Sequence, residues 1–379
     1  MTSTLLRVCI ALLLTLPLPT YGKPWSGQMT DLSKTLKVLL PSALSDKPIE
    51  TRKEKKSLEK ALKDFANHAH QLDLEKVKKV SKDPTLVLLG NVFKREAQRA
   101  HQEFKSGHIS YSKGIIRSLT TYCIHCHTRS ANGPSFLESQ VDPEVKKMSP
   151  WDQANYFAAT RRFDKALALY QGIIKDKSFA KNREIHWERA VRKALLITIR
   201  WQKDPAKSLS LINLASQNGS LPFFLKQDLK HWQKSLKTWK AEPKRKAQTE
   251  KGLLAEAKSL FASATEKQKY PMDRSADMDF MRTTAAVHDL LSVTQSKKTQ
   301  AEALYMAGVS YEVLRGLELW SLHELYYEMC INSLPHSPLA RKCLERYQES
   351  IYSGYSGSGG TSIPSQVQSH IKTLEKKAR

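Results

Sequence analysis

Two cysteines and a histidine stand together in the order Cys123-Ile124-His125-Cys126-His127. On a helix, residues three and four apart share a face, so the two thiols and the imidazole of His127 point the same way. Thiols at this spacing can add to the two vinyl groups of one haem, and the following histidine can ligate its iron. The motif therefore predicts one covalently attached haem c, held by Cys123 and Cys126, with His127 as an axial ligand.

The same residue types also occur in zinc sites, thioredoxin-like redox pairs and structural disulfides. A zinc site usually has a second ligand pair at matched spacing, and a redox pair has a βαβ setting. The sequence shows neither pattern. His125 lies off the ligand face, and we expect it on the surface. The chain has no second C-x-x-C-H, so di-haem peroxidase chemistry is not expected and an electron carrier or sensor is favoured over an enzyme.

The N-terminus has the three parts of a secretory signal peptide. Arg7 precedes the apolar run from Val8 to Leu16, and small residues at Thr20 and Gly22 form a cleavage site. We predict that residues 1–22 are removed, Cys9 with them, and that the mature chain is periplasmic in a bacterium. Covalent haem attachment belongs to that side of the membrane. No later segment predicts a transmembrane anchor.

The haem motif must be positioned by helices, because apolar residues recur at three- and four-residue spacing almost throughout. Four amphipathic helices precede the end of the motif, near Met29–Leu40, Thr51–Leu72, Pro84–Gly107 and from Ser110 onward. Pro41 is expected to end the first. Short connections predict an all-α fold that begins with an antiparallel four-helix haem c bundle over residues 23–146.

Helix pairs of repeat-like length follow, in segments 147–242 and 243–379. Ala166 and Tyr170 resemble the small-then-aromatic pair of a tetratricopeptide repeat. Gly308 would permit close helix contact in a second repeat. The further positions that fit this second repeat are Leu304, Ala307, Tyr311, Tyr327, Cys330 and Pro335. The second segment ends with a Gly/Ser-rich loop and a terminal helix. A generic helical domain is the alternative to these TPR-like repeats.

Residues 27–130 resemble the cytochrome c-prime and c-556-like family. The resemblance rests on a third helix rich in phenylalanine and alanine, a glycine turn at Gly107, and a motif about sixteen residues later. It implies a four-helix bundle in which His127 is the proximal ligand and the first helix faces the distal side.

Met29, near the start of the first helix, is the candidate distal ligand that the resemblance suggests. Family members with a methionine there are six-coordinate and transfer electrons, whereas those without one are five-coordinate and bind small gases. The alternative is that Met29 only packs in the core. His68, His70 and His101 are expected on the solvent side of the bundle.

Cys330 and Cys343 flank a tight turn between two helices, and in an oxidising compartment they can form a disulfide. Two buried free thiols are the alternative. A disulfide here would have a structural role, because it would hold the two consecutive helices together.

The chain is strongly basic, with a formal charge of +24. This excess favours an acidic protein partner, or association with a membrane or cell-wall surface. Nucleic acid is not expected, because the charge is not interleaved with aromatic residues in one patch. The first hypothesis is electron transfer by a mono-haem cytochrome whose repeats dock a redox partner. The alternatives are a haem-based gas sensor and a repeat scaffold with a structural haem.

Overall fold

The computed structural model describes residues 24–45, 48–49, 51–129, 143–243, 249–317 and 322–379. These ranges are almost entirely α-helical, as predicted, and their only strands form one short pair near the C-terminus. None of the helices described combines the length and apolar character needed to cross a bilayer. The predicted signal peptide, residues 1–22, lies outside the described residues.

The first part of the described chain contains α1 (Trp25–Leu44), α2 (Arg52–His70), α3 (Leu74–Val80), α4 (Thr85–Lys105) and α5 (Ile109–His127). α1 packs against α2 and α5, and α4 also packs against α2 and α5. The four long helices therefore close a ring around shared apolar side chains such as Leu39, Phe65 and Phe104. They coincide with the four helices that the sequence predicts, whereas the short α3, which packs on α4, was not predicted.

The prediction that Pro41 ends the first helix is wrong, because α1 continues to Leu44. The last carbonyls of a helix have no partner within it. The Arg117 guanidinium, on α5, donates hydrogen bonds to the carbonyls of Ala43 (3.0 Å), Leu44 (3.4 Å) and Ser45 (3.1 Å). This contact caps α1 from another helix and ties the first and last helices of the ring together.

Seven helices occupy residues 143–243. They are α6 (Pro143–Lys146), α7 (Pro150–Ala159), α8 (Phe163–Lys175), α9 (Lys177–Asn182), α10 (Glu184–Leu196), α11 (Pro205–Ser216) and α12 (Phe223–Ala241). A π-helical turn, Ile197–Trp201, extends α10. Ser149, Asp176 and Asp204 each accept a hydrogen bond from the backbone N–H three residues later, which fixes the starts of α7, α9 and α11. α7 packs on α8, α8 on α10, and α11 on α12.

The last part contains α13 (Glu250–Lys267), α14 (Asp277–Leu291), α15 (Lys297–Val313), α16 (Leu322–Ser333), α17 (Pro338–Gly354) and α18 (Ser365–Ala378). A 3-10 turn, Leu314–Leu317, follows α15. Within the predicted Gly/Ser-rich loop, β1 (Ser356–Gly357) pairs antiparallel with β2 (Gly360–Thr361). A disulfide joins Cys330 of α16 to Cys343 of α17, with their Cα atoms 6.3 Å apart.

One buried core extends through all of these parts. α5 packs against α7, and the π-helical turn after α10 packs against α14. The predicted haem domain and repeat segments therefore share apolar contacts, and the end of α5 lies inside the protein with helices on more than one side.

Gly308 allows α15 to approach α16 closely. A Cβ atom at this position would lie 2.4 Å from Cε1 of Tyr327. That ring has little room to move, because it is fully buried and its hydroxyl donates to Glu312. The close helix contact predicted at Gly308 is present.

Replacing Gly308 with alanine is expected to lower the free energy of unfolding by about 1–2 kcal/mol. The strain of overpacking exceeds the roughly 1 kcal/mol that alanine gains over glycine within a helix. Gly172 on α8 is the matched control, since an added Cβ there meets nothing within 4 Å. Urea unfolding followed by circular dichroism should show a lower midpoint for Gly308→Ala and an unchanged or higher one for Gly172→Ala. Equal midpoints would contradict the packing argument.

Candidate functional site

Cys123, Cys126 and His127 lie in the last turns of α5 and line one cavity of about 200 Å³. Met29, near the start of α1, lines the same cavity. The ring of long helices thus brings the Met29 thioether to the two thiols and the imidazole of the Cys123–His127 motif, which lies far from Met29 in the sequence. These are the four residues that the sequence predicts as haem-binding residues.

The remaining walls of the cavity are mostly apolar and come from α1, α3, α4 and the segments next to them. They include Trp25, Leu32, Leu36, Leu72, Val77, Leu86, Leu89 and Phe93. Such walls keep water away from a ligand and lower the local dielectric constant. The lining of the cavity therefore suits an apolar group anchored by a few polar or sulfur atoms.

Arg161 also lines the cavity, from the turn between α7 and α8. Its backbone has a φ of 58°, in the left-handed region, and burial lowers the pKa of its guanidinium. Sequence reasoning missed this residue, because it belongs to the next helical unit and no local pattern relates it to Cys123. A half-buried cation beside an apolar cavity can pair with a carboxylate of the bound group.

The environment of the two thiols favours their protonated form. Burial raises the pKa of Cys123 to about 12 and also raises the pKa of Cys126. The C-terminal end of α5 adds to this effect, since its partial negative charge disfavours a thiolate. Both cysteines are free thiols in the structure. A redox-active Cys-X-X-Cys pair has lowered thiol pKa values, so this setting does not resemble one.

His127 is a neutral imidazole at pH 7. Burial, and then the charge of Arg161, lower the pKa of His127 to about 3. Neutral imidazole is the form that ligates metals. The Nδ1 atom of His127 is buried and has no hydrogen-bond partner within the part of the chain that is described.

Of the other candidate ligands, only Met29 reaches the cavity within the part of the chain that is described. It is half-buried and packs against the core. His68, His70 and His101 do not line the cavity. The ring of His70 is instead 3.0 Å from the amide nitrogen of Gln98, on the exposed side of the bundle.

The prediction that His125 lies on the surface is wrong, because this side chain is 1% exposed. Its Nδ1 atom lies 3.0 Å from Nη1 of Arg200, and its ring meets Tyr311 edge to face. Burial, and then the charges of Arg200 and Arg129, hold the pKa of His125 well below its usual value. The neutral ring therefore accepts a hydrogen bond from Arg200, which lies in the π-helical turn after α10.

Arg129 follows the motif by two residues and also points inward, with a side chain 3% exposed. Its Nη1 atom lies 3.3 Å from Oδ2 of Asp83 and donates to Thr85 Oγ1, and its Nη2 atom donates to the Tyr326 hydroxyl at 2.6 Å. Thr85 in turn donates its backbone N–H and its hydroxyl to Asp83 Oδ1. The buried guanidinium is thus paired with a carboxylate that is itself hydrogen-bonded.

His288 and two tyrosines complete this polar cluster on the side of the later helices. The His288 Nδ1 atom lies 3.0 Å from Asp83 Oδ2, and its Nε2 atom lies 3.0 Å from the Tyr311 hydroxyl and 3.2 Å from that of Tyr326. Burial lowers the pKa of His288 to about 3, so its neutral ring donates to Asp83 and accepts from a tyrosine. We name Asp83, Arg129, His288, Tyr311 and Tyr326 the junction network.

No sequence pattern indicates the junction network. In the sequence, Asp83 and Thr85 are typical of residues at the start of a helix. Arg129 is typical of a basic residue that follows the end of a helix. Their partners are far along the chain: Asp83 is 205 residues from His288, and Arg129 is 197 residues from Tyr326. Only the fold of the last helices reveals that these polar groups meet.

Comparison with known proteins gives no match. No family model, no curated protein and no solved structure matches this chain.

Replacing Asp83 with asparagine is expected to lower the free energy of unfolding at pH 7 by about 3–5 kcal/mol, because it leaves Arg129 buried without its carboxylate. Burial by itself would raise the pKa of Asp83, but His288, Arg129 and Thr85 outweigh it and hold this pKa well below its usual value. A lowered folded-state pKa means that the stabilisation is complete above the unfolded value of about 3.9 and is lost as the pH falls further. The difference between wild type and Asp83→Asn should therefore shrink below about pH 4.

The matched control is Asp164→Asn, which removes an exposed carboxylate from the first turn of α8. Its effect should stay below about 1 kcal/mol, as for other exposed groups near a helix start. Urea titrations at several pH values measure both variants. A loss for Asp83→Asn that is no larger than for the control would refute the role of the carboxylate.

Proposed function

We propose that this chain is an exported mono-haem c-type cytochrome that transfers electrons and docks a partner through its later helices. The observation that carries the proposal is that one apolar cavity is lined by the Cys123 and Cys126 thiols, the His127 imidazole and the Met29 thioether. Two thiols followed by a histidine at C-x-x-C-H spacing are typical of covalent attachment of a c-type haem, and the apolar walls suit its ring.

The residues around the cavity fit a haem in their donor chemistry. Cys123 and Cys126 are protonated thiols, the form whose S–H adds across a vinyl double bond to give a thioether. His127 is neutral and can serve as the proximal ligand. Arg161 would pair with a propionate carboxylate. A haem held in this way supplies a one-electron Fe(III)/Fe(II) couple.

The packing of α1, α2, α4 and α5 supports the proposal of a four-helix haem bundle. α1 supplies Met29 and apolar walls, α4 supplies further walls, and α5 supplies the attachment motif. Apolar walls and a thioether ligand both favour the reduced iron and raise the potential. This combination suits an electron carrier.

The later helices are the proposed docking arm. They form paired helices on a strongly basic chain, and a basic surface steers acidic partners at moderate ionic strength. We therefore place an acidic redox protein first among partners. Export to the periplasm follows from the N-terminal sequence pattern and from the covalent attachment of haem on that side of the membrane.

A haem-based sensor is the second candidate, and the junction network favours it. His125 and Arg129, inside and just after the motif, contact Arg200 and Tyr326 in the later helices. A change of coordination that moved the end of α5 would alter these buried contacts, which gives a physical route from the iron to the docking arm. The coordination state of the iron separates the two candidates.

The purified wild-type protein is expected to carry one haem that stays attached after denaturation, measured by mass spectrometry and by the pyridine haemochrome spectrum. Cys123→Ala with Cys126→Ala should lose covalent attachment, because both thioether bonds are removed. The matched control is Cys330→Ala with Cys343→Ala, which removes the other cysteine pair and should retain the haem. If the wild-type chain is produced in cells that can attach haem and still carries no covalent haem, the proposal is refuted.

Met29→Ala is expected to convert a six-coordinate, low-spin spectrum into a high-spin spectrum that responds to carbon monoxide, because the thioether ligand is removed. Met148→Ala is the control, since Met148 packs on the same core but does not line the cavity. Electronic absorption with and without carbon monoxide distinguishes the variants. A wild-type protein that is already high-spin and binds carbon monoxide would favour the sensor and rule out Met29 ligation.

A further inference from the structure

Arg200 lies in the π-helical turn Ile197–Trp201 that follows α10, and only 2% of this residue is exposed. Its Nη1 atom lies 3.0 Å from Nδ1 of His125, and its Nη2 atom lies 3.5 Å from the His125 carbonyl oxygen. The guanidinium also lies 6.0 Å from the centre of the Tyr311 ring. π-helical turns are rare and frequently occur at functional sites. This one holds a cation against the helix that carries the Cys123–His127 motif.

The charge of Arg200 has no carboxylate partner among the residues that the structure describes. Its hydrogen bonds and its ring contact go to His125 and Tyr311. An imidazole is never an anion at the pH values at which proteins fold, and a phenol is not one at neutral pH. The Nε atom of Arg200 is buried and has no hydrogen-bond partner. Because a guanidinium cannot lose its proton, a full positive charge is buried here.

Other arginines with buried side chains follow a different pattern, since each meets a carboxylate. The pairs are Arg129 with Asp83, Arg192 with Asp277, and Arg282 with Glu242. Burial ordinarily requires such pairing, because an uncompensated charge in the interior costs several kcal/mol. Arg200 departs from this pattern, and it does so beside the motif.

Arg129 and Arg200 therefore act differently on a group bound at the motif. Asp83 lies 3.3 Å from Arg129, and such a close pair of opposite charges has only a weak field at longer distances. The charge of Arg200 is not weakened in this way, and burial keeps water from screening it. At an effective dielectric constant of about 20, a unit charge on the order of 10 Å from a redox centre changes a one-electron equilibrium by about tenfold.

We propose that Arg200 raises the reduction potential of a haem attached at the motif. This inference rests on the proposed function. Reduction adds one negative charge at the haem, and a fixed cation nearby stabilises that charge. Arg200 does not line the motif cavity, so it acts through its electric field and not by contact with the bound group. A raised potential makes the protein an acceptor of electrons from donors of lower potential.

Spectroelectrochemical titration of the purified holoprotein measures the effect. Arg200→Gln and Arg200→Met both remove the charge. Each is expected to shift the Fe(III)/Fe(II) equilibrium about tenfold towards Fe(III), which lowers the midpoint potential of a one-electron couple by about 59 mV. The methionine variant is included because an apolar side chain is tolerated well in place of an uncompensated buried charge. Arg200→Lys keeps the charge and should stay within about threefold of the wild type.

Arg341→Gln is the matched control, because it removes the same formal charge from an exposed position on α17. Solvent and salt screen that charge, so the equilibrium should change less than about twofold. Asp83→Asn should shift the midpoint in the opposite direction, to higher potential, because it leaves the charge of Arg129 uncompensated. Greater exposure of the haem to water would instead move this variant and the neutral Arg200 variants in the same direction.

The outcomes separate this inference from the proposed function. A wild-type chain without covalent haem refutes the proposed function and this inference with it. If haem is attached and both neutral variants keep the wild-type midpoint, only the role of Arg200 is overturned. Its role is also overturned if Arg200→Lys lowers the midpoint as far as the neutral variants do, because charge is then not the cause.

Discussion

Arg129 lies in the interior of the protein two residues after the Cys123–His127 motif, and its buried charge constrains the surrounding structure. A guanidinium cannot lose its proton, so burial requires a carboxylate and a full set of hydrogen-bond acceptors. Asp83, Thr85 and Tyr326 meet this requirement from the start of α4 and from α16. The end of the motif helix is thereby held in one position relative to both the bundle and the later helices.

The end of α5 has two chemically different sides. Cys123, Cys126 and His127 face an apolar cavity, whereas His125 and Arg129 face buried polar partners. The sides are close in sequence because a helix turns through a full circle in 3.6 residues. The Cys123–His127 motif can therefore present side chains to a bound group on one side. On the other side, His125 and the following Arg129 contact the helices of the proposed docking arm.

The charge of the chain also has an internal component. Part of the +24 excess lies on exposed helices, where salt screens it and where it would steer a partner. Another part is buried and paired, because Arg129 meets Asp83 and Arg192 meets Asp277 in the interior. Such pairing is needed because desolvation of an unpaired charge costs several kcal/mol. The exposed part of the charge is therefore the part that can act on a partner.

The sequence alone determined the features that depend on neighbours a few residues apart. The helical class, the four long helices of the first part, the shared face of Cys123, Cys126 and His127, and the close contact at Gly308 all follow from three- and four-residue spacing or from a single small residue. Tertiary structure decided the features whose partners are distant. In the folded chain α1 continues past Pro41 and its end is capped by Arg117, His125 is buried against Arg200, and Arg161 lines the cavity. The local sequence around a polar residue on a helix is the same whether its side chain faces water or a partner two hundred residues away. Only the folded chain therefore shows which of these two surroundings the side chain has.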